Sequence, residues 1–334
     1  MYTAFYGLTR KPFKMTPDPA FLYLTDQHRE ALAGLTYAIL ERKGFIALSG
    51  TAGAGKTTLL SWVLEKLPAS QVQSSVILNP TLTRDEFLEA AMLDFGISDI
   101  PSSKAGRLWS LQKFLAQSKM DDKISVLVID EAHKLSPDLL EEIRLLGNFE
   151  ASDQKLLQVV LVGQTELDDL LNRPDLWQFK QRISVRLKLK PLAADEVGRY
   201  VQHRWAIASD GNPSPFAPEA VMSLARWSTG IPRLINSICD NALIFAFADT
   251  AKRVSAEHIE AAAKDLCLVA PPEPSRIVSK PIQSALSVAQ PAPPLPVISL
   301  PRPHPHPRQM FNWYDSRLEH RSLFMRWASK FGLA

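Results

Sequence analysis

The sequence predicts an α/β chain: a five-stranded parallel sheet sandwiched by helices, then a small all-helical lid domain and a C-terminal proline-rich extension. Three observations predict it. Five short apolar runs, at Gly44–Ser49, Ser75–Asn79, Ile124–Ile129, Leu156–Val162 and Ile183–Leu189, alternate with helical patterns, as strands buried on both faces of a sheet require. Gly50 to Thr58 read G-T-A-G-A-G-K-T-T and match the phosphate-cradling pattern G-x-x-x-x-G-K-[ST] throughout. From Pro191 onward only helical patterns remain, up to a sharp rise in proline.

The residue types of the loop answer to one ligand class. Gly50, Gly53 and Gly55 free the backbone to turn N–H groups toward phosphate oxygens, with Thr51, Ala52, Ala54 and Thr58 completing the cradle. Lys56 is expected to reach the β- and γ-phosphates of ATP, and the Thr57 hydroxyl to hold Mg²⁺. The helix that starts near Lys56 aims the positive end of its dipole at the anion. Context supports this: an apolar run precedes the loop, and Leu59, Leu60, Val63, Leu64 and Leu67 follow it at helical spacing.

A second site element closes the third run, where Ile124 to Ile129 lead into Asp130-Glu131-Ala132-His133. Two carboxylates at the end of a buried strand cost stability unless a cation, hydrogen bonds or water receive them. Asp130 is expected to complete the Mg²⁺ shell with Thr57, and Glu131 to take the proton of the water that attacks the γ-phosphate. His133 reads either as part of this D-E-A-H box or as a packing residue.

Thr83 and Glu86 stand at capping-box spacing, with Leu82 and Phe87 at staple spacing, so a helix starts there. Ser136-Pro137 opens another, whose buried face is Leu139, Leu140, Ile143 and Leu146. The lid helices are expected over 193–209, 218–228, 232–249 and 255–266. The domain reading is therefore 1–190 for nucleotide binding, 191–268 for the lid, 269–308 for a proline-rich linker and 309–334 for a basic amphipathic tail. Residues 271–307 hold 12 of the 25 prolines, too few large apolar groups to fold and many that favour extended chain.

Composition narrows the function classes. No 18-residue apolar stretch spans a bilayer, the N-terminus lacks a secretory pattern, and two cysteines make no disulfide framework. A cytoplasmic location is expected, with peripheral contact to the inner membrane through the tail. Residues 1–269 carry 30 Lys and Arg against 32 Asp and Glu, whereas 270–334 carry 8 against 3. A near-neutral body argues against a large nucleic-acid-binding face, and the basic tail suits an anionic membrane surface, a partner groove or a solvated, partly disordered end.

The loop, the Asp-Glu strand end, the five-strand sheet and the helical lid resemble the AAA+ ATPases. Tyr2 to Leu8, Lys11-Pro12-Phe13, Thr16-Pro17-Asp18-Pro19, His28 to Leu32 and Arg42 to Phe45 are similar to blocks of the ExeA/GspA branch, whose members serve general secretion and pilus biogenesis. The resemblance implies further roles. Gln164 would sense the γ-phosphate and Asn79 would be a switch residue touching Glu131, or either would be a plain strand-end hydrogen bonder, and Arg233 would be the lid sensor. Arg182 would be an arginine finger supplied to a neighbouring subunit of a homo-oligomer, with Arg186 the alternative. Pro12, Phe13 and His28 would lie on the adenine side. The expected function is Mg²⁺-dependent ATP hydrolysis by an oligomer that assembles or regulates a secretion or pilus machine of the envelope. The alternative is a DNA-dependent ATPase that regulates transposition.

Overall fold

A computed structural model describes residues 2–16, 18–151, 154–209 and 211–269. The linker and tail expected from residue 270 onward lie outside the described residues.

The chain opens with α1 (Tyr2–Phe5), α2 (Asp26–Leu40), β1 (Phe45–Gly50) and α3 (Lys56–Lys66). It continues with β2 (Val72–Ile77), α4 (Arg84–Asp94), α5 (Lys104–Met120), β3 (Ile124–Ile129) and α6 (Pro137–Leu146). A small antiparallel pair follows, β4 (Glu150–Ala151) with β5 (Gln154–Lys155). Then come β6 (Leu157–Gly163), α7 (Glu166–Leu171), α8 (Trp177–Arg182) and β7 (Ile183–Leu189). The chain closes with α9 (Ala194–Ala208), α10 (Pro218–Ser228), α11 (Pro232–Ala248) and α12 (Ala256–Asp265).

The five-stranded sheet has the order β2-β3-β6-β1-β7 and every pairing is parallel. Its three central strands, β3, β6 and β1, are buried along their whole length. That is why they read as unbroken apolar runs, since helices cover both faces of a parallel sheet. The two edges behave differently. β7 alternates half-buried and exposed positions and is buried only at Leu189. β2 begins at Val72, three residues before the apolar run expected at 75–79, and has only Ser75 and Ile77 buried. An edge strand with polar residues such as Gln73 and Ser74 carries little apolar signal. The run that follows it, Leu78-Asn79, leaves the sheet, and Leu78 is 66% exposed.

Local signals set the helix starts. Thr83 and Glu86 form the reciprocal capping box at the start of α4, a motif worth about 1 kcal/mol. Ser136 caps α6 by accepting from the Leu139 N–H, with Pro137 at the first helical position. One hydrophobic cluster joins the sheet to α4, α5 and α6 through Phe87, Met92, Leu115, Leu140 and Ile143. A second gathers Val197, Trp205, Leu224, Ile235 and Ile259 from α9 to α12, and takes in Tyr2 and Phe13 from the start of the chain. The N-terminal segment is thereby fastened to the last four helices. Arg204 strengthens this link by donating from Nε to the Pro12 carbonyl at 2.7 Å.

Candidate functional site

The phosphate loop runs from the end of β1 into α3, and its glycines are required by two separate constraints. Gly55 is the N-cap of α3 with φ of 94°, a conformation that side chains rarely adopt. Gly53 has φ of 77°, and a Cβ there would stand 2.7 Å from the Arg233 Cβ. The loop and the start of α11 therefore touch directly, and the Arg233 N–H donates to the Gly53 carbonyl at 3.3 Å. Lys56 is buried; its Nζ donates to the carbonyls of Gly50 (2.8 Å) and Thr51 (3.0 Å). Burial lowers the Lys56 pKa, which Glu131 and Asp130 oppose and Arg233 reinforces. Ala54 is fully enclosed and its N–H turns back to the Thr51 carbonyl at 3.1 Å. Ala52 and Thr58 line the same cavity.

A hydrogen bond joins the loop to the end of β3. Thr57 Oγ1 donates to Asp130 Oδ2 at 3.0 Å, while Asp130 Oδ1 accepts from the Glu131 N–H at 2.8 Å. Asp130 is anchored further by its own N–H to the Ile77 carbonyl at 2.9 Å. Glu131 itself has φ of 51°, a strained conformation for a residue with a side chain and one that clusters at functional sites. The turn directs its carboxylate toward the end of β6. Gln164 Nε2 approaches Glu131 Oε2 at 3.4 Å, His133 Nε2 at 3.6 Å and Lys134 Nζ at 3.5 Å. His133 also accepts from the Gln164 N–H at Nδ1, at 3.4 Å, so it touches both strand ends. Asn79 is turned away from this group: its side-chain oxygen accepts from the N–H and hydroxyl of Thr81. Of the two expectations for Asn79, the hydrogen bonder is the one the geometry matches.

Arg182 lies at the other end of the sheet. Phe45 pairs with Ile183 and Gly50 with Leu189, so the length of a six-residue strand, about 20 Å, separates Arg182 from the loop of the same chain. Arg186 sits midway along β7, opposite Ala47, and is exposed.

A cavity of about 360 Å³ opens beside the loop. Lys14, Met15, Thr16 and Tyr23 wall it from the N-terminal side, and Tyr200, Arg204, Arg233 and Asn236 from the last helices. Of the three residues expected on the adenine side, only His28 lines it. Phe13 is core, edge-on to Phe216 at 5.8 Å, and Pro12 offers its carbonyl to Arg204.

Sequence reasoning missed a polar chain in the cavity wall. Arg204 Nη1 donates to the Tyr200 hydroxyl at 3.3 Å, and that hydroxyl donates to Asn236 Oδ1 at 2.9 Å. All three are buried. The available signal was Tyr200 and Arg204 at i,i+4 on an otherwise apolar helix face, a spacing that puts both side chains on one side. Their partner Asn236 comes from another helix.

His28 is buried, with Nδ1 at 2.7 Å from the Thr25 hydroxyl. Burial holds its imidazole below the ordinary value of 6.5, against the opposing pull of an Ala54 backbone hydrogen bond and Glu196. His203 is lowered for the same first reason. The unfolded chain thus takes up protons before the folded one does. Stability from these groups is complete above pH 6.5 and is lost as pH falls below it toward the lower folded-state values. The melting temperature is expected to drop between about pH 7 and about pH 5, with a shallower drop in His28→Gln. An unaltered pH profile in that variant refutes the assignment.

The family described as AAA domain matches residues 39–171. General secretion pathway protein A of Aeromonas hydrophila is 42% identical over 267 residues, which cover 80% of this chain and 48% of that protein. The chain thus spans about half the length of this relative. Among solved structures, the ADP form of the ORC2 protein of Aeropyrum pernix superposes with a TM-score of 0.60 at 17% identity, covering 78% of this chain and 73% of that one. The ORC1 protein of Aeropyrum pernix in complex with DNA gives 0.60 at 20% identity, covering 78% and 70%. At these identities the two structures establish a common fold. Taken with the sequence relative and the loop joined to the Asp-Glu turn, they give the chain the AAA+ fold, with an AAA domain over residues 39–171 and similarity to the ExeA/GspA branch of the AAA+ ATPases.

Proposed function

We propose that this chain hydrolyses ATP with Mg²⁺ as a homo-oligomer and that turnover serves the assembly or regulation of an envelope machine, a secretion system or a pilus. The observation that carries the reading is the Thr57–Asp130 hydrogen bond, because it brings the end of the phosphate loop and the end of β3 to one point. A hydroxyl and a carboxylate are hard oxygen donors that suit Mg²⁺. Among the described residues no three His, Cys, Asp or Glu side chains gather to hold a metal. Two protein ligands, with substrate oxygens and water supplying the rest, fit the habit of this ion. Bound there, Mg²⁺ would neutralise charge on the β- and γ-phosphates.

In this reading Lys56 exchanges its hold on the Gly50 and Thr51 carbonyls for phosphate oxygens, and Gly50 to Thr58 supply backbone N–H donors. Glu131 accepts a proton from the attacking water, while Gln164 and His133 hold its carboxylate in place. Arg233, already against Gly53, links the helices after residue 190 to the state of the loop. Arg182 acts on a nucleotide in a second copy. Residues 1–190 and 191–268 are read as nucleotide-binding and lid domains, which the two separate hydrophobic clusters support. The segment beyond residue 268 is read as a linker and a targeting tail.

The name of the Aeromonas relative supports the secretion reading over the transposition one. Phosphate release is the test. It is expected to require Mg²⁺, to stop with a chelator and to be indifferent to double-stranded DNA. Turnover that persists in the chelator removes the Thr57–Asp130 assignment, and strong stimulation by DNA transfers the chain to the transposition class.

A further inference from the structure

Arg182 is held by two contacts at the far end of the sheet from the phosphate loop of its own chain. Its Nη1 donates to the Arg144 carbonyl at 3.0 Å and to Asn148 Oδ1 at 2.6 Å. Arg144 lies in the last turn of α6, where carbonyls lack helical partners, so the guanidinium also caps that helix. Both N–H groups of one terminal nitrogen are used in this way. The opposite edge of the fork, Nε and Nη2, makes no hydrogen bond or ion pair among the described residues, although the exposed carboxylates of Glu141 and Glu150 lie near enough to feel its charge. A guanidinium edge with two parallel donors matches a phosphate oxygen pair.

The two ends of this contact rest on one aromatic support. Phe45, at the start of β1, packs so tightly on Gly147 that a Cβ there would stand 2.2 Å from its ring, and Gly147 directly precedes Asn148. The same ring meets Phe179 edge-on at 5.1 Å, and Phe179 lies three residues before Arg182, on the same side of α8. Both phenylalanines are buried. Asn148 is exposed, so its amide is not needed to fill the core.

We propose that Asn148 is a positioning residue: with the Arg144 carbonyl it holds one edge of Arg182 so that the free edge faces a nucleotide bound by a second copy of this chain. The inference rests on the reading of Arg182 as an arginine acting in trans. Because α6 starts at Pro137, six residues after Glu131, and carries Arg144 in its last turn, the same contact ties the aim of Arg182 to the site of its own chain.

The test uses the full chain at saturating ATP and at a protein concentration where the rate per subunit no longer rises. Asn148→Ala is expected to lower kcat roughly tenfold or more, since small misplacements of a catalytic group cost that much. KM for ATP and the melting temperature stay unchanged. Asn148→Asp, which keeps an acceptor oxygen, restores most of the rate. The double variant Asn148→Ala/Arg182→Ala is expected to be no slower than Arg182→Ala alone. A further loss in the double variant, or a normal rate in Asn148→Ala beside a slow Arg182→Ala, overturns the role of Asn148. A normal rate in Arg182→Ala overturns instead the trans reading on which it rests.

Discussion

Glu131→Gln is expected to bind ATP with near-normal affinity and to hydrolyse it at least ~10²-fold more slowly, the scale of general-base catalysis. The amide is the same size as the carboxylate and leaves the loop untouched, so only the proton acceptor is lost. Lys56→Ala is expected to fail one step earlier. Its buried ammonium is the positive group nearest the loop carbonyls, and without it nucleotide binding itself is lost. Equilibrium binding of a fluorescent ATP analogue separates the two, and a single-turnover measurement on Glu131→Gln reports the slowed chemical step. A Glu131→Gln variant that turns over at the normal rate removes Glu131 from the mechanism.

Arg182→Ala is expected to abolish the rise of specific activity with protein concentration while leaving ATP affinity nearly unchanged. The reason is distance. Six residues of parallel strand stand between Arg182 and the loop of its own chain, about 20 Å, beyond the reach of an arginine side chain. Any contact with phosphate is therefore made across a subunit boundary, and in comparable phosphoryl-transfer sites such an arginine is worth on the order of 10³-fold in kcat or more. Mixing Arg182→Ala with Lys56→Ala is expected to restore part of the rate, because mixed interfaces join an intact nucleotide site to an intact arginine. Turnover independent of concentration, by a species that sediments as a monomer, would falsify the trans reading.

Much of the nucleotide site was legible in the sequence, and the reason differs from element to element. The loop at Gly50–Thr58 and the Asp130-Glu131 turn were visible because each lies directly after a strand buried on both faces, and such a strand writes an apolar run into the chain. The starts of α4 and α6 were visible because a cap is a contact between residues three apart. β2 was displaced by three residues because an edge strand needs no apolar run. Asn79 stood at a plausible strand end, yet its side chain spends its oxygen on Thr81, a choice made by the local turn.

The sequence by itself therefore determined the fold class, the phosphate loop, the acidic turn, the starts of α3, α4 and α6 and the four helices after residue 190, since each is set by residue types within a few positions of one another. The tertiary structure alone decided which distant groups meet. Arg204 holds the Pro12 carbonyl across 192 positions, Gln164 meets Glu131 across 33 and Arg182 meets Asn148 across 34, while Arg233 closes on Gly53. Periodicity reports which face of an element is apolar and says nothing of which element covers it. Those pairings follow from strand order and helix packing, which depend on the burial of the whole chain at once.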